Sequence, residues 1–549
     1  MLNKACKNLL VRGVNWIGDA VMTLPALRVL KKALPEAKIS LLVRPWVVPL
    51  FEKDPNVDEI IIYGDEYRGI IGKIKLARML NKKGFCSAVL FQNAFDAAFI
   101  AFLAGIKERV GYNRDARGFF LTTAVPVPQN ERKVHHINYY LNLLEQLGIK
   151  EEYSAPYLYL SLDERLSARN ILKDMRRPVL GINPGAEYGS AKRWIPERFA
   201  EVANWFLKDT EGSAVIFGGK NEIGIAQEIE KFIGIQESNP LPPQFSNPPS
   251  PPFSKEGQGG ILNLAGKTSL RELIPLISEC DVFVTNDSGP LHIAYAVGTP
   301  LVAIFGSTDP ELTGPPPEAE GSSNVVVTSS LSCNPCFERI CKNNDMRCMY
   351  AVTSDDVYLG IKKILPGNPA VFFDRDGTLC GDVGYLNKYD DLQIFKDVST
   401  VRLLKERGFR LIGVSNQSGI ARGLIKKDFV REVNKIFIER YDFDDFYYCP
   451  HHPAEHCPCR KPEPGMLLRA RAEHGIDLKR SFVVGDKEAD MILAKAVGAK
   501  GVFVKTGQDK ESLSADYEAK DLKEAVNWIL ENCDVIASSS RLSRGDEAI

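Results

Sequence analysis

Short strands rich in β-branched residues alternate with amphipathic helices along almost the whole chain. Asn8–Val14 is predicted as a buried strand, Ala20–Leu34 as a helix and Lys38–Val43 as the next strand. Such alternation predicts parallel sheets with helices on both faces, so the expected fold class is α/β with three Rossmann-like units. The other predicted strands are Ile60–Tyr63, Ala88–Gln92, Val179–Asn183, Ala214–Phe217, Ile261–Leu264, Asp281–Thr285, Leu301–Ile304, Ala370–Asp374, Phe409–Ser415 and Ser481–Asp486.

Two proline-containing segments interrupt this alternation. Seven prolines lie between Gln236 and Gly260, which predicts a disordered surface insertion over 236–260, because proline breaks helices and central strands. Leu365–Pro369 separates a helix from a new strand and is predicted as a domain linker. A chain of 549 residues has room for three or four domains of roughly 100–200 residues each. We expect domains at 1–170, 171–365 and 366–536, followed by a disordered tail at 537–549.

The composition excludes several classes of protein. The 69 Lys and Arg residues nearly balance the 70 Asp and Glu residues, which argues against nucleic-acid binding through a broad basic face. No stretch approaches the roughly 20 apolar residues of a membrane helix, and polar residues interrupt any apolar signal segment near the N-terminus. The twelve cysteines are therefore expected to be reduced thiols or metal ligands rather than a disulfide scaffold. These features predict a cytoplasmic protein.

Two carboxylates, Asp374 and Asp376, lie at the end of a predicted strand and are followed by Gly377 and Thr378. At a strand end, Asp374 can attack phosphorus as a nucleophile and form an aspartyl-phosphate, while Asp376 can protonate the leaving alkoxide. Together with Asp486, at the end of a later strand, they supply the hard oxygen ligands that Mg²⁺ prefers. Taken alone, the Asp-Gly pair is about equally typical of a turn.

Other polar segments support the catalytic interpretation. Ser415 and Asn416 follow one predicted strand and could hold a phosphate, while Arg460 and Lys461 supply cations that could orient the nucleophile and bind phosphoryl oxygens. In this order the motifs resemble those of haloacid-dehalogenase-like phosphatases. The resemblance implies Mg²⁺-dependent hydrolysis by either a heptose 1,7-bisphosphate 7-phosphatase or a histidinol-phosphatase, which the local motifs hardly separate.

A cysteine-rich loop lies between the second and third of these motifs. Within eleven residues it provides three thiols and one imidazole, the ligand set of a closed structural Zn²⁺ site: Cys449, His451, Cys457 and Cys459. His452 and His456 remain spare candidates, and free thiols on a His-rich loop are the alternative. A zinc ion would stiffen the loop and hold the adjacent Arg460 and Lys461 over the active site.

Three segments in the first two-thirds of the chain place polar residues after predicted strands. They provide an acid, two neighbouring cations and a polar helix start: Asp19; Lys192 and Arg193; Asp287, Ser288, Gly289 and His292. A helix start of this kind is a natural diphosphate site. Each residue also has a simpler interpretation. The acids and the serine could be helix caps, the cations could be solvated, and the histidine could be a hydrogen-bonded core residue.

Together these segments resemble ADP-heptose:lipopolysaccharide heptosyltransferases of glycosyltransferase family 9. The resemblance implies a GT-B-type pair of Rossmann-like domains with the donor in the cleft and no metal requirement. It implies that Asp19 is the general base and that Lys192 and Arg193 neutralise the diphosphate. Ser288 and Gly289 would hold the diphosphate oxygens. The implied partners are ADP-heptose, a Kdo/heptose–lipid A acceptor and heptose bisphosphate, with peripheral contact to the inner membrane.

The combination of the two halves favours one hypothesis, a bifunctional enzyme of lipopolysaccharide inner-core heptose metabolism. A heptose phosphatase acts upstream of ADP-heptose formation, and a heptosyltransferase consumes ADP-heptose. The alternatives are a transferase of another nucleotide sugar fused to a histidinol-phosphatase or general sugar phosphatase, and a nucleotide-sugar-binding scaffold without transferase activity. Four further cysteines are expected to be structural or free thiols rather than a metal site. They are Cys333, Cys336, Cys341 and Cys348.

Overall fold

Two separate units make up the fold. The first contains Met1–Ala319 and Asn324–Lys363, and the second contains Glu320–Ser323 and Ile364–Ile549. The computed structural model describes residues 6–128, 133–150, 153–233, 260–316 and 323–533. The predicted insertion, apart from its last residue, and the predicted tail lie outside the described residues.

The first sheet of the first unit has six parallel strands in the spatial order β3-β2-β1-β4-β5-β6. The strands are β1 (Asn8–Arg12), β2 (Lys38–Val43), β3 (Glu59–Ile62), β4 (Ser87–Leu90), β5 (Glu108–Tyr112) and β6 (Thr123–Val125). The helices are α1 (Ile17–Met22), α2 (Leu24–Ala33), α3 (Gly69–Lys82), α4 (Phe95–Leu103), α5 (His136–Glu145) and α6 (Leu162–Ile171).

The second sheet of this unit is also parallel, in the order β12-β11-β10-β7-β8-β9. Its strands are β7 (Val179–Asn183), β8 (Ser213–Ile216), β9 (Ile261–Asn263), β10 (Val282–Asn286), β11 (Leu301–Phe305) and β12 (Asn324–Thr328). Its helices are α7 (Pro196–Thr210), α8 (Ile223–Phe232), α9 (Leu270–Ser278), α10 (Gly289–Ala296), α11 (Pro310–Thr313), α12 (Arg347–Ala351) and α13 (Ser354–Ile364).

The second unit contains one parallel sheet in the order β15-β14-β13-β16-β17-β18. Its strands are β13 (Ala370–Phe373), β14 (Arg410–Asn416), β15 (Asp445–Cys449), β16 (Phe482–Gly485), β17 (Lys500–Val504) and β18 (Tyr517–Ala519). Its helices are α14 (Arg402–Glu406), α15 (Lys427–Tyr441), α16 (Gly465–His474), α17 (Glu488–Val497) and α18 (Leu522–Asn532).

All three sheets share one topology. Numbered within its own sheet, each has the order 3-2-1-4-5-6, so the first strand lies between the second and the fourth. The connections on the two sides of this point run in opposite directions and leave a crevice at the carboxyl ends of strands one and four. The predicted α/β class with three Rossmann-like sheets is confirmed. Among the described residues, no helix is both long enough and apolar enough to cross a bilayer.

The structure corrects two sequence predictions. The helix predicted over Ala20–Leu34 is two helices, because Pro25 has no backbone N–H to continue the ladder of α1, and α2 begins anew at Leu24. The expectation of reduced cysteines is wrong for Cys6 and Cys86, which form a disulfide. They lie just before the neighbouring strands β1 and β4, and this places their Cα atoms 5.8 Å apart although 80 residues separate them in sequence.

The close packing around β7 predicts that a glycine of this strand cannot be replaced without loss of stability, and a glycine of α8 provides a matched control. A Cβ atom at Gly181 would lie 2.5 Å from Phe283 Cδ2 and 2.9 Å from Cys280 Sγ, whereas one at Gly224, in α8, would meet nothing within 4 Å. We expect Gly181→Ala to lower the free energy of unfolding by about 1–3 kcal/mol through overpacking. Gly224→Ala should raise it by up to about 1 kcal/mol, because alanine favours a helix. Denaturant unfolding measures both; equal stability of the two variants would contradict the packing argument.

Candidate active sites and a candidate metal centre

The two halves of the first unit meet where α1 and α10 begin. A Cβ atom at Gly18 would lie 2.5 Å from His292 Cδ2, and one at Gly289 would lie 2.9 Å from Ile17 Cγ2. Glycine at both positions lets the two helix starts approach closely. The residues after β1 therefore face the residues after β10 across one cleft, as the sequence analysis predicted for Asp19 and His292.

Asp19 lies in the first turn of α1 and is not its cap. The N-cap is Trp16, so the interpretation of Asp19 as a capping residue is wrong. Asp19 Oδ1 lies 3.5 Å from Nδ1 of His136, the first residue of α5, and both side chains are partly exposed. A carboxylate beside an imidazole is suited to accepting a proton. Sequence reasoning missed His136, because no motif marks it and it lies far from Asp19 in the sequence.

Lys192 and Asp287 form a buried ion pair with 2.5 Å between Nζ and Oδ2. Thr308 Oγ1 donates a second hydrogen bond of 2.5 Å to the same oxygen. Lys192 Nζ also lies 4.6 Å from the ring centroid of Tyr188. Asp287 therefore holds the ammonium group in place rather than capping a helix, and the ammonium group is oriented before any ligand arrives.

The start of α10 is held by a network of side chains from β7 and β10. Asn183 Nδ2 donates to Ser288 Oγ and Thr285 Oγ1, each at 3.3 Å. Ser288 is the N-cap of α10, but its side chain makes no capping hydrogen bond, so the N–H of Gly289 is not capped by it. This N–H and the positive end of the helix dipole favour an anion there. Arg193 lies nearby, donating to the carbonyl of Ala186 at 3.3 Å.

In the second unit, Lys461 lies between two buried carboxylates. Its Nζ is 2.5 Å from Asp374 Oδ1 and 2.7 Å from Asp490 Oδ1, and it donates to the carbonyl of Val414 at 3.1 Å. Burial opposes the charge, but Asp374 and Asp490 outweigh it and raise the pKa of Lys461. Asn416 exchanges two hydrogen bonds with the backbone of Lys461, at 3.1 and 3.2 Å, and so fixes this cation beside the predicted nucleophile.

Three carboxylates in this site could hold a metal ion. Oxygen atoms of Asp374, Asp486 and Asp490 lie within 4.8 Å of one another. Asp486 Oδ1 is buried without a hydrogen-bond partner, and burial followed by repulsion from Asp374 raises the pKa of Asp486 to about 8. A divalent cation would supply the missing partner. A Cβ atom at Gly507 would lie 1.8 Å from Asp486 Oδ2, so the loop after β17 also shapes this site.

Asp376, the third predicted magnesium ligand, has a carboxylate that other side chains hold. Among the described residues its carboxylate does not join the group formed by Asp374, Asp486 and Asp490, so its role as a magnesium ligand stays a prediction. Arg375 donates to both oxygens of Asp376 at 3.0 Å, and Gln417 Nε2 donates to Oδ2 at 2.7 Å. Burial opposes ionisation of Asp376, but the charge of Arg375 and these hydrogen bonds outweigh it and lower the pKa of Asp376. The ion pair with Arg375 and the hydrogen bond from Gln417 hold this carboxylate in place.

The other predicted residues line the same edge of the sheet. Ser415 is buried, and its Oγ accepts a hydrogen bond of 2.6 Å from Gln417 Nε2. Arg460 is half-buried, and its Nη1 is enclosed without a hydrogen-bond partner. An enclosed guanidinium nitrogen of this kind is suited to an anionic ligand.

The cysteine-rich loop forms a second candidate metal centre. Ligand atoms of the four predicted residues, Cys449, His451, Cys457 and Cys459, lie within 4.8 Å of one another. His451 Nδ1 is 3.3 Å from Cys459 Sγ, and the sulfur atoms of Cys457 and Cys459 are 2.9 Å apart. Hydrogen bonds with Cys449 and Cys457 raise the pKa of His451 to about 10. Such crowding of soft ligands fits a tetrahedral metal site. His452, by contrast, caps a short helical turn by accepting from Ala454 N at 3.2 Å.

The four cysteines of the segment after β12 form no disulfide, and among the described residues they do not join any group of three ligand atoms within 4.8 Å: Cys333, Cys336, Cys341 and Cys348. Hydrogen bonds from the backbone of Met346, and then of Asp345 and Asn343, lower the pKa of Cys341. The geometry therefore favours the expectation of structural or free thiols.

Family models match both units. Residues 73–347 match glycosyltransferase family 9 (heptosyltransferase), and residues 458–527 match the HAD-hydrolase-like family.

Relatives of known activity cover the same two regions. The chain is 30% identical over 317 residues to lipopolysaccharide heptosyltransferase 2 of Escherichia coli K12, which covers 56% of this chain and 85% of that protein. It is 42% identical over 177 residues to D-glycero-beta-D-manno-heptose-1,7-bisphosphate 7-phosphatase of Yersinia pestis, which covers 30% of this chain and 89% of that protein. The solved structure of E. coli ADP-heptose lps heptosyltransferase II matches with a TM-score of 0.52 and 27% identity, over 65% of this chain and 97% of that one.

The burial of His292 predicts how the stability of the region around β10 and α10 depends on pH. Burial lowers the pKa of His292 from 6.5 to about 4, although Asp287 and Asp19 act in the opposite direction. The folded state thus favours the neutral ring. The contribution of the neutral ring to the free energy of unfolding is complete above pH 6.5 and is lost as the pH falls from 6.5 towards 4. Over that range we expect β10 and α10 to lose up to about 3 kcal/mol more protection from hydrogen exchange in the wild type than in His292→Gln. A ring that titrates near its ordinary pKa by NMR would contradict this.

Proposed function

Because the chain belongs to glycosyltransferase family 9 in its first unit and to the HAD-like hydrolases in its second, we propose that it catalyses two reactions of lipopolysaccharide heptose metabolism. The first unit transfers heptose from ADP-heptose to the lipopolysaccharide core acceptor. The second removes the 7-phosphate of heptose 1,7-bisphosphate. One observation carries the proposal: in both units, the polar residues expected for these reactions converge at the crevice beside the first strand. The donor ADP-heptose and the substrate heptose bisphosphate are both water-soluble, which supports a cytoplasmic location.

In the transfer reaction, we assign Asp19 the role of general base. Asp19 removes the proton of the acceptor hydroxyl as its oxygen attacks the anomeric carbon, and ADP leaves with the bonding electron pair. The 3.5 Å contact with His136 supports this role, because the imidazole can orient the carboxylate. Charge that develops on the leaving diphosphate is offset by Lys192 and by the N–H of Gly289 at the start of α10. Arg193 and His292 complete the donor side of the cleft.

In the hydrolysis reaction, we assign Asp374 the role of nucleophile. Lys461 holds the Asp374 carboxylate in position through the 2.5 Å contact with Oδ1, and attack on phosphorus transfers the phosphoryl group to Asp374. Asp376 donates a proton to the leaving sugar oxygen. It then takes a proton from the water that attacks the phosphorus of the aspartyl-phosphate, which releases inorganic phosphate and restores the Asp374 carboxylate. Since Arg375 favours the ionised form of Asp376 in the free protein, the negative charge of the bound phosphate must raise the pKa of Asp376 for the proton donation. A Mg²⁺ ion held by Asp374 and Asp486 would offset the negative charge of the substrate.

We further propose that the cysteine-rich loop holds a structural Zn²⁺ ion. The four clustered ligand atoms and the crowded thiols support this assignment. Arg460 and Lys461 directly follow Cys459, so a metal that fixes the loop also fixes these two cations.

The proposal predicts that the two activities can be removed separately. Asp374→Asn keeps the shape of the side chain but removes the nucleophile, so phosphate release should fall by roughly three orders of magnitude or more while heptose transfer persists. Asp19→Ala should lower transfer by about 10²–10⁴-fold and leave phosphate release unchanged. Each variant is the control for the other. Purified protein is assayed with heptose bisphosphate and with ADP-heptose plus acceptor. Loss of both activities in either variant would contradict the assignment.

The zinc proposal has its own measurement. Cys457→Ala should lower the zinc content of the purified protein from one ion per chain to well below one and should reduce phosphatase activity, because Arg460 is no longer held. Cys533→Ala, which removes a buried thiol at the end of α18 outside the loop, is the matched control and should keep its zinc. Elemental analysis gives the metal content. Zinc-free wild-type protein with full phosphatase activity would overturn the proposal.

A further inference from the structure

Residues 337–339, in the segment that follows β12, pack on the loop after β7. The backbone N–H of Ala191 donates to the carbonyl of Arg339 at 3.1 Å. A Cβ atom at Gly189 would lie 2.1 Å from that carbonyl oxygen, so only glycine allows the two backbones to approach this closely. Tyr188 Oη donates to the carbonyl of Phe337 at 3.2 Å. The segment is thus bound to the loop that carries the first cation of the proposed donor side.

The same residues are also fixed to the loop after β11. The backbone N–H of Phe337 donates to the carbonyl of Ser307 at 2.6 Å. Ser307 directly precedes Thr308, whose hydroxyl donates to Asp287. Phe337 has a φ of +58°, which a bulky residue rarely adopts, so contacts with both loops are needed to hold it. Residues 337–339 therefore have a fixed backbone beside the two loops that orient the buried ion pair of the donor side.

The side chain of Arg339 contacts the same aromatic ring as Lys192. Arg339 Cζ lies 5.0 Å from the ring centroid of Tyr188, and Lys192 Nζ lies 4.6 Å from that centroid. Lys192 is paired with Asp287. Arg339 is exposed, and within the described part of the chain no carboxylate forms an ion pair with it. Two positive charges thus lie next to one ring, and only one of them is compensated.

The charge of the proposed donor requires more than the paired lysine. The diphosphate of a nucleotide sugar is a dianion, and further negative charge develops on it as the sugar leaves. Asp287 already compensates Lys192 before the donor arrives. A guanidinium group is suited to the missing role, because its planar donors bind phosphate oxygens bidentately. This step rests on the proposed function, since it takes ADP-heptose as the ligand.

We propose that Arg339 is a donor-binding residue, whose guanidinium group leaves the ring of Tyr188 and binds phosphate oxygens of the donor diphosphate beside Lys192. Because the backbone of residues 337–339 is fixed by both loops, only the side chain has to move. The contact exists both before and after the sugar leaves, so Arg339 contributes to the affinity for ADP-heptose and for ADP alike.

Calorimetry of ADP binding to the full-length protein tests the proposal. Arg339→Met removes the charge and keeps a long side chain that can still pack on Tyr188. We expect the Kd for ADP to rise about tenfold or more in this variant, because a charge-assisted contact is lost. The Kd for adenosine, measured by displacement with ADP, should stay unchanged, because adenosine has no phosphate. Arg339→Lys should recover part of the affinity for ADP.

A lysine of the same segment provides the matched control. The side chain of Lys342 is 74% exposed and pairs with Glu338, so Lys342→Ala should bind ADP as the wild type does. Arg339→Gln carries the same test if Arg339→Met does not fold.

Two outcomes would overturn the proposal. The first is an unchanged affinity for ADP in Arg339→Met. The second is an equal loss of affinity for ADP and adenosine, which would show that Arg339 only supports the fold of the neighbouring loop. A wild-type protein that does not bind ADP would instead refute the transfer function on which the proposal rests.

Discussion

The carboxyl edge of a parallel sheet is the constraint on which both sites depend. Every strand ends there, every following helix begins there, and the switch in direction beside the first strand leaves a crevice. Because all three sheets have the same strand order, the first and fourth strands always flank that crevice. The segments after β1 and β10 carry Asp19 and Ser288, and those after β13 and β16 carry Asp374 and Asp486. The strand order therefore determines where each site lies, and the side chains at the strand ends determine its chemistry.

Charges buried at these edges are held in pairs. Lys461 lies between Asp374 and Asp490 and forms an ion pair with each. Arg375 forms an ion pair with Asp376, and Lys192 forms one with Asp287. Such pairs bring little net stability, because desolvation offsets most of the attraction, but each orients a group that would otherwise be mobile. The pairs therefore serve to fix reacting groups in position, and removal of one partner would leave a buried charge without compensation.

Local patterns in the sequence predicted most strands and nearly all candidate site residues. β2 and β7 were predicted to the residue, because both are short buried runs that end at polar or proline-containing segments. β5, β6, β12, β15, β17 and β18 were missed, since several are edge or very short strands with a weak apolar pattern. The roles of His136 and Asp490 and the Cys6–Cys86 disulfide depend on contacts between distant segments, which no local pattern encodes.

Each unit has its site in the crevice beside the first strand of a sheet, but the charge of the residues that line the site differs in sign between the two units. In the first, Lys192 and the positive end of α10 are the groups that we assign to the anionic leaving group. In the second, Asp374, Asp486 and Asp490 crowd together, and Lys461 compensates only part of their charge. The raised pKa of Asp486, about 8, means that this carboxyl retains a proton near neutral pH until a cation approaches its unpartnered oxygen. Cation binding must then release that proton, so the affinity of the site for Mg²⁺ rises with pH.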